Sequence, residues 1–266
     1  MPELAEVEHS RRVWERGRGR KVLSVTVNNT SSPVWRGAPA THVKKVLSGK
    51  SFTGSEAHGK QMLFRFGRRV WIGIHLGMTG ELRIEPAAYE IRKHDHLVLR
   101  QAGQCLVFSD QRRFGRLRLS QGTAAPIWWS KLPPPILSRG FTAALVADFC
   151  HRRKGSPLKS LLLMQQRFPG IGNWMADEIL WRARLYPKLR AGQLPAAGIT
   201  KLYRSIRSVT ASAVDLLSKD WELPDNWLFR HRWNKGGKCP RCRTLLIREK
   251  IGGRTSCWCP VCQADQ

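Results

Sequence analysis

At 266 residues the chain is long enough to bury more than one hydrophobic core, so two domains are expected. Lys and Arg total 46 against 19 Asp and Glu, a formal charge of +27, which selects polyanionic partners, nucleic acid first among them. No apolar run approaches the ~20 residues of a membrane span, and the polar, acidic N-terminus does not read as a signal peptide; a cytoplasmic, nucleoid-associated protein is expected. The basic residues are spread along the chain instead of forming a tail, which calls for a long binding face on folded structure. A membrane-surface role and a generally basic proteome are the rival explanations of the charge.

In chain order, Met1-Pro2-Glu3 comes first. Cleavage of Met1 leaves proline as the N-terminus, a secondary amine able to attack a sugar C1′ or an aldehyde and form an iminium. Glu3 is a carboxyl that can move protons at the same centre. The other reading is structural: proline opens a helix, and Glu3 and Glu6 favour its positive end. Residues 3–17 read as that helix, with Leu4, Val7 and Val13 inward and Gly17 and Gly19 ending it.

From Lys21 to Leu119 the pattern changes to short β runs at 22–27, 62–66, 70–74, 96–99 and 105–108, separated by glycine-rich or polar turns. This predicts an antiparallel sandwich or barrel. Gly59-Lys60 precedes one of the runs, where a lysine is either solvated or set to meet a phosphate. His75-Leu-Gly-Met78-Thr-Gly80 and Asp110-Gln-Arg112-Arg113-Phe114-Gly115 put Met78, Arg112 and Phe114 on turns. Apolar side chains on exposed turns serve either ordinary packing or as wedges that replace a base taken from the stack.

Residues 125–139 hold four prolines and read as a linker. Beyond it helices are expected near 142–150, 156–165, 173–183 and 199–218. The third is entered through Phe168-Pro-Gly-Ile-Gly-Asn173. That turn offers glycine amides and a helix N-terminus where a phosphate can dock, or is plain turn geometry with Asn173 as N-cap.

Five of the seven cysteines lie near the C-terminus. Cys105 and Cys150 stand alone in apolar surroundings, as buried thiols do. Cys239-Pro-Arg-Cys242 and Cys259-Pro-Val-Cys262 are two Cys-x2-Cys knuckles sixteen residues apart, the spacing of a four-thiolate structural zinc site. One zinc ion is expected, held by Cys239, Cys242, Cys259 and Cys262 around a hairpin turning at Gly252-Gly253. Cys257 is a spare that could compete as a ligand but breaks the two-knuckle symmetry, and a redox pair or an iron site is the alternative to zinc.

Taken together and in order, these segments resemble the formamidopyrimidine-DNA glycosylase and endonuclease VIII family over essentially the whole chain. The resemblance rests on Pro2-Glu3-Leu4 with Glu6-Val7-Glu8, Gly59-Lys60, His75 to Gly80 and Lys93-His-Asp-His96. It continues through Asp110 to Gly115, Gly170-Ile-Gly-Asn173, Ala176-Asp-Glu178 and Gly253-Arg-Thr255. It implies an α+β protein of four segments: an N-terminal helix and catalytic antiparallel β-sandwich (1–124), a linker (125–140), a helix-two-turn-helix DNA-binding domain (141–234) and a zinc finger (235–266). It also implies a bifunctional enzyme, excising oxidised bases and cutting abasic sites by β- and then δ-elimination, acting as a monomer on damaged double-stranded DNA.

By the same resemblance Pro2 is the nucleophile and Glu3 the proton-transfer carboxyl. Lys60 binds phosphate at the lesion and assists catalysis, and Glu6, also in the catalytic set, helps order the site. Asn173 and Arg254 hold flanking phosphates, Arg254 counting as part of the catalytic set, and Met78, Arg112 and Phe114 fill the gap in the stack.

Departures stand beside the matches. Ala5 replaces a common proline, Met164 a usual aspartate, and Trp174-Met175 a usual Ile-Tyr. The 214–238 stretch is short and lacks the residues that enclose 8-oxoguanine in the formamidopyrimidine branch. In their place come Trp227, Phe229, His231 and Trp233, a differently shaped aromatic pocket. Two alternatives follow: a lyase for abasic sites or crosslinks with weak base excision, and a non-catalytic damaged-DNA-binding protein on the same scaffold.

Overall fold

The computed structural model describes residues 1–219, 222–233 and 236–264. It divides into two compact units, Met1–Pro2 with Glu6–Leu132, and Glu3–Ala5 with Pro133–Gln266.

The first unit contains most of α1 (Leu4–Glu15), then β1 (Ser24–Val27), α2 (Ala40–Leu47), β2 (Phe52–His58), β3 (Gln61–Phe66) and β4 (Val70–His75). After these come β5 (Gly80–Pro86), β6 (Asp95–Gln101), β7 (Gln104–Asp110), β8 (Arg116–Gln121) and α3 (Ile127–Ser130). The strands form two four-stranded sheets, ordered β1-β6-β7-β5 and β2-β3-β4-β8, with every strand pairing antiparallel.

Alternation along the strands builds the core between the sheets. Met62, Phe64 and Phe66 of β3 and Ile72 and Ile74 of β4 meet Leu97, Leu99, Leu106 and Phe108 of the other sheet. The odd positions Leu63 and Trp71 turn the other way and are covered by Trp129 of α3, with Trp128 packed alongside. The expected sandwich is therefore present.

The first helix differs from expectation in its end and in its anchor. The first helix ends at Glu15, before the expected glycines. Its main anchor is Trp14, fully buried, whose indole N–H lies within reach of the Arg83 and Val107 carbonyls, while Leu4 and Val13 are only half-buried.

The second unit contains α4 (Ala143–Arg152), α5 (Leu158–Leu162), α6 (Asn173–Ala183), α7 (Ala196–Lys219), α8 (Leu228–His231), β9 (Ile247–Ile251) and β10 (Arg254–Trp258). Thr142 caps α4, accepting from the Leu145 N–H at 3.3 Å. Leu202, Ile206, Val209, Ala213 and Leu217 form the buried stripe of α7, a 3.6-residue pattern facing α4 and α6.

The helix expected over 156–165 is shorter, because Gln165 takes over the backbone beyond Leu162. Its amide donates to the Leu163 and Ile171 carbonyls and accepts from the Gly170 N–H. β9 and β10 pair antiparallel around Gly252 and Gly253, both at positive φ, giving the expected hairpin. Of the unusual 214–238 stretch, residues 220, 221, 234 and 235 lie outside the described residues. Among the described residues no helix is long and apolar enough to cross a membrane.

Candidate active site and nucleic-acid interface

Glu3 is the most constrained of the expected site residues. Its carboxylate is buried and accepts three backbone N–H bonds, from Gly172 (2.9 Å), Trp174 (2.9 Å) and Met175 (3.0 Å). These are the open N–H groups of the first turn of α6, where a helix favours negative charge. Gly172 is required for this: a Cβ there would come within 2.3 Å of the Glu3 carboxyl carbon.

This corrects two expectations. The glycine amides before α6 are not a vacant phosphate cradle, since Glu3 and Gln165 already take them. Asn173 is not the N-cap; Gly172 holds that position and Asn173 is the first helical residue.

Asn173 instead reaches the hairpin. Its amide donates to the Thr255 carbonyl at 2.8 Å, next to the exposed Arg254, while its own carbonyl oxygen is buried without a protein partner. Behind them lies a buried ion cluster that the sequence reading did not single out. Lys159 Nζ is 2.5 Å from Asp177 Oδ1 and 2.6 Å from the Asn173 backbone carbonyl, and Arg232 is 2.5 Å from Asp177 Oδ2. The Cys257 N–H donates to the same Oδ2 at 3.0 Å. Asp177 thus ties α5, α6, the 228–233 stretch and β10 to one carboxylate. Burial lowers the Lys159 pKa against the opposing pull of Asp177. Only Ala176-Asp-Glu178 hinted at this cluster, because Lys159 stands in an otherwise apolar run.

In the first unit Lys60 sits in the two-residue turn between β2 and β3 and is 8% exposed. Its charge, after burial and with Arg116 and Arg118, pushes the His75 pKa down to about 4. Pro2 precedes α1 and is half-buried, and Glu6 lies half-buried in the first turn of that helix.

The two expected wedge loops are locked together. Asp110 accepts from the Thr79 hydroxyl (2.7 Å) and the Gly115 N–H (2.6 Å), and the Thr79 oxygen accepts from the Arg112 N–H (3.2 Å). Gly77, at φ +65°, lies so close that a Cβ would stand 2.4 Å from the Phe114 carbonyl carbon. The result presents Met78 (43% exposed) and Phe114 (56% exposed), with the Arg112 guanidinium 5.0 Å over the Phe114 ring. Rigid backing with exposed apolar tips is what a wedge needs.

The sulfurs of Cys239, Cys242, Cys259 and Cys262 all lie within 4.8 Å of one another, with Cys242–Cys259 at 3.4 Å and Cys239–Cys262 at 3.9 Å. Four thiolates about 2.3 Å from one zinc ion stand roughly 3.8 Å apart, so the set fits one tetrahedral structural zinc. The Trp181 indole N–H donates to Cys239 Sγ at 3.3 Å, holding one ligand from outside. Cys257 is not in the set: it is buried, and desolvation pushes its thiol up to about 12.

The aromatic stretch 227–233 is mostly packing. Trp227 is 3% exposed, its ring centroid 6.5 Å from that of Trp174, and Phe229 makes an edge contact with Trp174 at 5.0 Å. His231 bonds to the Asp225 carbonyl at 2.7 Å. Trp233, at 52% exposure, is the one ring of the four left to solvent.

An antiparallel sandwich, a helical unit and a four-cysteine finger on one strongly cationic chain define the class of helix-two-turn-helix DNA glycosylases. Residues 1–117 match the formamidopyrimidine-DNA glycosylase N-terminal domain, 132–221 the H2TH domain of the same proteins, and 236–264 the zinc finger found in FPG and IleRS. The formamidopyrimidine-DNA glycosylase of Exiguobacterium sibiricum is 33% identical over 276 residues, covering 99% of each chain. That of Thermus thermophilus is 34% identical over 281 residues, covering 100% of this chain and 99% of its own. Among solved structures, MutM in complex with DNA containing carbocyclic 8-oxo-G superposes with a TM-score of 0.88 at 29% identity, over 99% of this chain and 100% of that one. The Lactococcus lactis enzyme bound non-covalently to DNA with an AP site gives 0.86 at 28% identity, with the same coverage. The chain belongs to the formamidopyrimidine-DNA glycosylase family, whose members are DNA glycosylases with associated abasic-site lyase activity.

Proposed function

We propose that this chain is a DNA repair enzyme that excises oxidised bases through an iminium on Pro2 and then cuts the strand at the resulting abasic site. Removal of Met1 frees the Pro2 amine, which attacks C1′ of the damaged nucleoside as the base departs. The iminium acidifies the neighbouring C2′ proton, so β-elimination breaks the 3′ C–O bond and δ-elimination the 5′ one. Glu3 transfers protons in these steps. Glu6 orders the site, Lys60, Asn173 and Arg254 hold backbone phosphates, and Met78, Arg112 and Phe114 replace the extruded nucleotide. Zinc held by the four cysteines fixes the hairpin that carries Arg254. The enzyme acts as a monomer on double-stranded DNA, in the cytoplasm and at the nucleoid.

One observation carries this reading: the residue directly after Pro2 is a carboxylate held by three backbone donors. A surface glutamate that merely started a helix would have no need of such anchoring. The test is borohydride trapping on an abasic-site duplex, with protein whose N-terminus has been sequenced. Protein beginning at Pro2 should trap, and N-acetylated or Met1-retaining protein should not. Equal trapping by both would move the nucleophile elsewhere, Lys60 first.

A second reading is a lyase for abasic sites or crosslinks with weak base excision. It is favoured by the burial of Trp227 and Leu228, which leaves them unable to enclose a base.

A further inference from the structure

The outer face of the β2-β3-β4-β8 sheet, beside the part that Trp128 and Trp129 cover, carries a cationic cavity. Cross-strand partners share a face, and the register pairs Gln61 with His75, His75 with Arg116, and Gly73 with Arg118. Gln61, His75 and Arg116 therefore form a row across three strands, with Gly73 and Arg118 two positions along on the same side. Phe114 closes the wall, and the cavity holds about 270 Å³. A water's share of liquid volume is about 30 Å³, so a phosphate group with several waters fits.

Its chemistry is one-sided. No carboxylate lines it. Among the described residues neither Arg116 nor Arg118 takes part in an ion pair or a side-chain hydrogen bond. Trp128 lies over Gly73, where a Cβ would meet its ring at 2.6 Å, and the Arg118 guanidinium stacks on that indole at 4.7 Å. Arg118 is thus held in place, with its N–H groups left for a ligand. His75 accepts the Gly77 N–H on Nδ1 at 3.0 Å, so the neutral ring carries its proton on Nε2 and is a donor. Burial lowers the Arg118 pKa, and the neighbouring Arg116 charge adds to that.

We propose that Arg116 and Arg118, with His75 and Gln61, form a phosphate-binding pocket whose occupant is a phosphodiester of the bound DNA. Guanidinium forks match phosphate oxygens, and a neutral imidazole and an amide add donors without more repulsion. The inference rests on the DNA reading above and adds a backbone contact to it, at the foot of the loop that presents Phe114.

The test uses the full zinc-loaded protein and a duplex with a non-reactive abasic analogue, carrying a single methylphosphonate at each position in turn. In the wild type, one neutralised phosphate near the lesion should weaken binding. In the Arg116→Ala/Arg118→Ala variant the same substitution should have no further effect, and the slope of log K against log salt should fall by about 0.9. The Arg116→Lys/Arg118→Lys variant should keep the slope. If the double alanine variant does not fold by circular dichroism, Arg116→Ala alone, at an exposed position, serves instead.

Persistence of every methylphosphonate effect in the variant would overturn the proposal. So would inorganic phosphate shifting the His75 ring resonances while no backbone position depends on the arginines, since the pocket would then take a free anion. Binding to the analogue involves no chemistry. Protein that shows the coupled position but fails to trap an abasic site would keep this inference and lose the catalytic one.

Discussion

The Glu3 carboxyl carbon sits 2.3 Å from where a Cβ on residue 172 would stand, so the carboxylate and a side chain at 172 exclude each other. Gly172 has φ −118°, an extended value open to any residue, so the need for glycine is space alone. Gly172→Ala should therefore leave the backbone able to fold but push Glu3 off its three donors. We expect borohydride trapping to fall about 100-fold, the loss typical of a ~1 Å misplacement at a catalytic group. Overpacking should cost about 1–3 kcal/mol of stability. Unchanged trapping in a folded Gly172→Ala protein would mean that the seat of Glu3 does not matter for chemistry.

Zinc and the hairpin should fail together. Four-cysteine sites bind zinc with apparent free energies on the order of 10 kcal/mol, and that energy folds the finger. Cys242→Ser should lose the metal and weaken duplex binding, because the register Arg254↔Ile251 belongs to the same hairpin. Cys257→Ser should keep it, that thiol being outside the four-sulfur set. Elemental analysis reads both, and one zinc per chain in the wild type is the reference value.

The wedge loops give a prediction that separates contact from fold. Met78→Ala and Phe114→Ala remove exposed side chains from a backbone that Asp110 continues to hold. Stability should change little, while lesion-duplex activity should fall by about 1–3 kcal/mol for Phe114, the usual worth of one base–aromatic stack. Activity on a single-stranded abasic substrate should fall much less, since no stack there needs filling. Equal losses on the two substrates would assign these residues to the fold.

His75 should leave a signature in the pH dependence of stability. Its folded pKa, about 4, is below the ordinary 6.5 because of burial and then the charges of Lys60, Arg116 and Arg118. Between those two values the unfolded chain binds a proton that the folded chain does not, so stability falls as pH drops from about 6.5 towards 4 and then levels. Above 6.5 the ring is neutral in both states and adds no slope. Urea midpoints for wild type and His75→Gln, taken across that window, should show a flatter profile in the variant. Parallel profiles would contradict the lowered pKa.

Much of the architecture was readable because its signals are local. Short, largely apolar runs marked β3, β4, β6 and β7, and cysteine spacing marked the finger. The strands that escaped were β2, β5 and β8, with sequences such as FTGSEAH and GELRIEP. All three are sheet edges, where polar and charged side chains break up the apolar run that marks a more buried strand. The site divides the same way. Pro2, Glu3 and Lys60 were picked out by residue type and motif. The seating of Glu3 on α6 was not, since it joins residues about 170 positions apart. The same distance hid the Lys159–Asp177–Arg232 cluster, which depends on tertiary packing that no sequence window contains.

The 214–238 stretch was expected to set specificity, and the structure sharpens that expectation. The 227–233 stretch was a candidate for a rebuilt aromatic pocket, but Trp227 and Leu228 are core, Glu178 accepts the Phe229 N–H at 3.1 Å, and Arg232 is committed to Asp177. Among the described residues of the stretch that leaves few buried donors to recognise 8-oxoguanine, and discrimination by hydrogen bonding needs partners that go unpaired with the wrong base. Ring-opened purines, hydantoins and oxidised pyrimidines stack poorly and cost less to extrude. These lesions and pre-formed abasic sites should therefore be processed faster than 8-oxoguanine opposite cytosine. Trp233, half-exposed and 5.2 Å from Phe229, is the most exposed ring of the stretch and so the one to test against an extruded base. Trp233→Ala should lower excision of the hydantoins while leaving cleavage of pre-formed abasic sites nearly unchanged. Single-turnover rates on matched duplexes decide it: 8-oxoguanine faster than the hydantoins would show that the stretch encloses the base after all.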